Sequence, residues 1–174
     1  MTVTQFERPG ADEHAPYYAS YIDKVPNGDI LALLTSQVGE ITGFLGSLSE
    51  AQGNHAYAPG KWTIKEVIGH LADTERVMTY RVMSFARHDP APLPGFDENA
   101  WIGPARFADR TLASLTGELV AVRQASLALL GGLPPGSGVR RGTANNRGVS
   151  VRALAHILYG HVAHHLGVIK ERYL

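Results

Sequence analysis

The chain has 174 residues, no cysteine, and sixteen Lys and Arg against sixteen Asp and Glu. Its length suits a single domain spanning residues 1–174, and its balanced charge supplies no basic field to draw it onto nucleic acid or an acidic membrane. Without thiols there are no disulfides, cysteine nucleophiles or thiolate zinc sites, so any metal must be held by imidazole, carboxylate or water.

In chain order, the N-terminal stretch "MTVTQFERPGADEHAPYYASYI" places acidic residues and a proline where a secretion signal needs an apolar run. No apolar run elsewhere is long enough to span a membrane, so the expectation is a soluble, unanchored, cytoplasmic protein. Four segments then carry helical periodicity. The first runs from about Gly28 to Ser49, with Ile30, Leu34, Val38, Ile41, Leu45 and Leu48 on one stripe and Asp29 or Asn27 as its cap. The second runs from about Thr63 to His88 and opens on a capping box, Thr63 with Glu66. The third runs from about Asp109 to Leu133 and stops at two prolines, and Ser150 caps the fourth, which reaches the C-terminus.

Nothing alternates with period two well enough to compete, so four amphipathic helices pack as an all-α four-helix bundle with long connecting loops. The link "DPAPLPGFDENAWIGPARF" between the second and third helices is rich in proline and aromatics. The link "PPGSGVRRGTANNRGVS" between the third and fourth reads as a flexible loop with room for a small hairpin at its two asparagines. Long links of this kind often line a site.

The last helix, "LAHILYGHVAHHLGVIKERYL", holds four of the eight histidines. At about 100° per residue from Leu154, His161 and His165 fall at about 340° and 20°, in the middle of the inward stripe. His164 falls at the flank, and His156 on the far side with Arg152, Tyr159 and Lys170, so these two read as incidental. Paired imidazoles at i and i+4 on an inward face are the spacing by which one helix offers two nitrogens to one ion. The competing reading, a core or interface pair, leaves two lone pairs in an apolar interior at a cost of about 1–3 kcal/mol each. His70, at the edge of the second helix's apolar stripe, is the candidate third ligand.

Other residues divide between chemistry and packing. Glu75 sits within the second helix's apolar stripe, as a base beside a metal, as the partner of Arg81 or of an arginine on another helix, or on a dimer face. His88 suits the helix C-terminus as a cation, and Trp62 and Trp101 read as packing anchors beside the loops.

Three stretches, "KWTIKEVIGHLADTERVMTYR", "PLPGFDENAW" and "HVAHHLGVIKERYL", in this order and at these distances, resemble the DinB-like superfamily, and within it the YfiT-like group of metal-dependent hydrolases and thiol S-transferases. The resemblance implies an up-down-down-up four-helix bundle, usually a homodimer, holding a divalent ion, nickel or zinc, through His70, His161 and His165. It also implies a small-molecule thiol or electrophile as substrate, with the ion activating a low-molecular-weight thiol or water. Asp97 and Glu98, in the link after the second helix, are the candidate base or substrate contacts at the open side of the ion. The alternative is a non-catalytic, damage-inducible metal-binding scaffold.

Overall fold

The computed structural model describes residues 5–174. Short turns of helix lead through α1 (Ala19–Ile22) into four long helices, α2 (Ile30–Gly46), α4 (Ile64–Ala86), α6 (Leu112–Gly131) and α7 (Val151–Arg172). Two further short helices, α3 (Glu50–Gly53) and α5 (Glu98–Ala105), lie in the connections, and strands β1 (Arg141–Ala144) and β2 (Arg147–Ser150) form a hairpin before α7. Among the described residues no helix is long and apolar enough to cross a membrane.

Local chemistry sets where the long helices begin. Asp29 accepts from the Leu31 amide at 3.2 Å. Thr63 accepts from Glu66 N while Glu66 accepts from Thr63 N at 2.7 Å, and Ser150 accepts from Ala153 N at 3.0 Å. Each cap satisfies amides that have no partner inside the helix.

The long helices pack in the ring α2–α6–α4–α7, so α2 lies diagonal to α4 and α6 to α7. Contacts along each pair give the directions. Glu75 meets Arg123 and Thr79 meets Ser126, so α4 and α6 run parallel. Gln37 bonds the Tyr159 carbonyl and Lys170 lies over the Phe44 ring, so α2 and α7 run parallel. His70 meets His161 and His165 while Met78 shares a cavity with Ile157, so α4 and α7 are antiparallel. The bundle is therefore up-down-down-up. Parallel neighbours α4 and α6 oblige the chain to return the length of α4, about 34 Å, which is why residues 87–111 are long.

Two connections are more ordered than their composition suggests. The proline-rich link contains α5, whose N-cap is Asp97, accepting from Ala100 N at 3.1 Å. The segment read as a flexible loop is the β1–β2 hairpin: Asn145 and Asn146 take φ of 50° and 59° at its turn, the two positive values that a two-residue hairpin turn requires and that asparagine tolerates. Leu93 joins the hairpin, its amide donating to Thr143 O at 2.9 Å and its carbonyl accepting from Asn145 N at 3.0 Å. The two long connections thus bind each other.

A buried polar layer divides the core. Arg123, with no exposed surface, donates through Nε and Nη2 to the two oxygens of Glu75 at 2.7 and 2.9 Å, and through Nη1 to Gln37 at 2.7 Å. It also reaches the Leu158 carbonyl at 3.3 Å, and Gln37 donates to that of Tyr159 at 3.1 Å. Apolar clusters lie to either side, Leu34, Val82 and Leu154 in one and Ile41, Leu71, Leu119 and Val162 in the other. Of the roles open to Glu75, the structure gives it an arginine on another helix. Arg81 is not its partner.

Candidate metal centre

His70 enters the site from the second turn of α4, and His161 and His165 from adjacent turns of α7. A close approach brings α1 to the same place: at Gly160, a Cβ would lie 2.0 Å from the Tyr21 carbonyl, so only glycine lets α1 lie against α7 one residue before His161. The Nε2 atoms of His70 and His165 each stand 3.1 Å from Nε2 of His161, and the three ligand nitrogens lie within 4.8 Å of one another. His70 and His161 are buried and His165 is half-buried.

Burial holds these imidazoles neutral. It lowers His70 to about 4 and, with the neighbouring His70 and His164, lowers His165 to about 3. His161, the most enclosed, is pushed well below the ordinary value first by burial and then by His165 and His70. A neutral imidazole has one N–H and one lone pair. Thr74 Oγ1, 3.4 Å from Nδ1 of His70, is placed to take that ring's N–H and leave its Nε2 lone pair facing the other two rings. Ligands about 2.1 Å from one ion, at coordination angles between octahedral and tetrahedral, stand about 3.0–3.4 Å apart. Two of the three spacings, at 3.1 Å, fall in that range, and the all-nitrogen donor set suits a divalent cation.

These shifts have a thermodynamic consequence for the metal-free protein. Each histidine's folded pKa is depressed, so below about pH 6.5 the unfolded chain binds protons that the folded chain refuses, and stability falls with falling pH until the folded values are reached. Urea midpoints of chelator-treated protein are expected to drop between pH 6.5 and 4, at up to about 1.4 kcal/mol per pH unit for each such histidine. A profile flat over that window would refute it. Glu13, held down at about 2 chiefly by Arg152, adds a separate loss below about pH 4.5.

The histidines form one wall of a cavity of about 710 Å³. Tyr17, Tyr18, Tyr21, Trp62 and Phe96 supply aromatic surface, and Arg81, Arg147, Asn145 and Glu98 supply polar groups. The Tyr21 ring stands 5.4 Å from that of His161, and burial raises its pKa, keeping the phenol protonated. Trp62 packs with its ring 4.8 Å from His70 and has its carbonyl bonded by Tyr173 at 2.7 Å. It is both an anchor and part of the wall. Trp101 instead is 42% exposed and packs on Phe96.

The two acids of the link part company. Glu98 is half-buried and lines the cavity, whereas Asp97 is exposed, its carboxylate caps α5, and it is not among the lining residues. Two histidines expected to be incidental are placed differently. His164 is half-buried on the cavity wall. His156, expected on the outer face, is 3% exposed with Nδ1 2.9 Å from the Arg152 carbonyl. Every α7 residue from Ala153 to Val162 is buried, so that half of the helix has no outer face. His88 takes the left-handed backbone, φ 59°, just beyond the end of α4.

Arg81 and Tyr21 are cavity residues that the motifs do not mark. Arg81 had a signal: eleven residues after His70, it returns to within about 20° of it on α4. Tyr21 had none, because its place depends on α1 docking across Gly160.

A family model for the DinB superfamily matches residues 33–169. An Oceanobacillus iheyensis protein named "Putative metal-dependent hydrolase" is 31% identical over 68 residues, 38% of this chain and 37% of that relative's length. Among solved structures, YfiT from Bacillus subtilis, described as "a probable metal-dependent hydrolase with an unusual four-helix bundle topology", superposes with a TM-score of 0.70 at 18% identity, over 95% of this chain and 90% of that one. The mycothiol-dependent maleylpyruvate isomerase superposes with a TM-score of 0.62 at 15% identity, over 82% of this chain and 60% of that one. At these identities the two structures establish the shared fold.

Proposed function

Because the chain belongs to the DinB superfamily, we propose that it is a metal-dependent enzyme whose His70, His161 and His165 hold one divalent ion, nickel or zinc. The reaction proposed is attack of a low-molecular-weight thiol or of water on a small electrophile, as an S-transferase or hydrolase. The observation that carries the reading is the convergence of three neutral imidazole nitrogens on the wall of an open cavity. A divalent ion there keeps its full charge and acts as a Lewis acid, lowering the pKa of a thiol or water that reaches it. The relatives' names support both nucleophiles, two being called metal-dependent hydrolases and one mycothiol-dependent.

The chain's own groups supply the rest. Thr74 orients His70. The hydroxyls of Tyr17 and Tyr21, 2.8 Å apart, form a phenol pair in the cavity lining, with Tyr21 protonated, and Glu98 offers a carboxylate on the cavity wall. Trp62 and Phe96 give apolar surface on which a substrate can displace water. Asp97, engaged as a helix cap, is not given a chemical role. A scaffold that bound metal only for stability would have no use for the adjoining cavity, which favours catalysis.

Elemental analysis of the purified wild type is expected to find about one divalent ion per chain. The loaded protein should transfer at least one of a panel of low-molecular-weight thiols to a generic electrophile, or hydrolyse an activated ester. Protein that carries no ion and binds none on titration would end this reading.

A further inference from the structure

Arg81 is 3% exposed, yet among the described residues no carboxylate lies within ion-pairing distance of it. A buried guanidinium without a counter-ion is costly, and buried charges are ordinarily paired. Its protein partners are weak ones for a full charge: Nη2 donates to the Pro94 carbonyl at 3.0 Å and Nη1 to the Met78 sulfur at 3.5 Å. Of the five N–H donors of a guanidinium, three have no acceptor among the described residues. None of its nitrogens is a fully enclosed orphan, and Arg81 lines the same cavity as the three histidines.

The contact with Met78 shows that the side chain runs back along α4 toward His70. Met78 lies eight residues beyond His70, which is about 12 Å of helix rise. The guanidinium therefore shares the cavity wall with His70, offset from it along α4 by about that axial rise. Arg147 and Asn145, on the hairpin, line the cavity as well, and Glu98 is the one acid among the lining residues.

We infer that Arg81 anchors the carboxylate of an elongated anionic ligand whose reacting end sits at the histidines, so that the substrate or thiol carries a negative group about 12 Å from its reactive atom. The inference rests on the metal-site reading for the position of the reacting end, but the charge preference does not. An uncharged ligand would leave the buried guanidinium unpaired, whereas a carboxylate accepts two of its parallel N–H groups.

The test compares mercaptooctanoate with mercaptooctanol by calorimetry on zinc-loaded wild type, and octanoate with octanol by thermal shift on metal-free wild type. The acids are expected to win in both, by about 10- to 100-fold in the calorimetric Kd. Arg81→Met should abolish the preference while binding zinc as the wild type does. Arg81→Lys, which keeps the charge and loses the fork, should retain part of it and serves if the methionine variant fails to fold. Acid and alcohol binding wild type within about twofold of each other, or a preference that survives in Arg81→Met, would overturn the inference. Loss of zinc binding with the octanoate preference intact would instead sink the metal reading and leave this one standing.

Discussion

Replacing His161 by alanine is expected to weaken divalent-ion binding by at least about 100-fold, the largest functional effect of any single substitution in this chain. His161 is the middle donor, its Nε2 standing 3.1 Å from those of both His70 and His165. Its removal takes away the nitrogen that both others approach. Groups that only orient a metal ligand are worth about 10- to 100-fold, so the ligand itself should exceed that range and Thr74→Ala should fall at its lower end. Competition with a chromogenic chelator would measure both. Near-wild-type affinity in His161→Ala would show that the imidazoles do not share an ion, and circular dichroism separates lost binding from lost fold.

The second large effect is on stability. Arg123→Met should destabilise the protein by about 3–5 kcal/mol, because it leaves the Glu75 carboxylate, 2% exposed, without its only cationic partner among the described residues. It also removes donors from Gln37 and from the Leu158 carbonyl. The double variant Arg123→Met with Glu75→Gln should recover a large part of the loss, since the penalty belongs to the stranded charge more than to the missing contact. Urea titration of the four proteins closes the cycle. A loss below about 1 kcal/mol in Arg123→Met would mean that the layer is not the constraint described here.

This layer also bears on the site. Glu75 is one residue after Thr74 and five after His70, while the Leu158 and Tyr159 carbonyls lie just before His161. Arg123 and Gln37 therefore tie α4 and α7 together at the level where their histidines meet. Arg123→Met is accordingly expected to weaken metal binding as well, though less than removal of a ligand would.

Much of this was legible because it is local. Thr63 with Glu66, Asp29 and Ser150 cap their helices within a few residues, and the apolar stripes needed only the helical repeat. The placement of His161 and His165 on an inward face followed from the same repeat. Where the reading failed, the deciding contacts were distant in the chain. The asparagine turn forms a hairpin, not a loose loop, partly because Leu93 pairs with it from another connection. His156 is buried because residues from outside α7 cover the side that an amphipathic helix leaves bare. Arg123 carries no local signal, being one arginine on a mostly apolar helix with its acid 48 residues away.

By itself the sequence determined four amphipathic helices, the caps of three of them and the inward direction of two histidines, because capping and helical periodicity are short-range properties of adjacent residues. Only the tertiary structure decided that His70 meets them, that Arg123 neutralises Glu75, and that Arg81 is buried with no acid beside it among the described residues. Those facts depend on which helix lies beside which, and the up-down-down-up path is settled by long-range packing that no local pattern encodes.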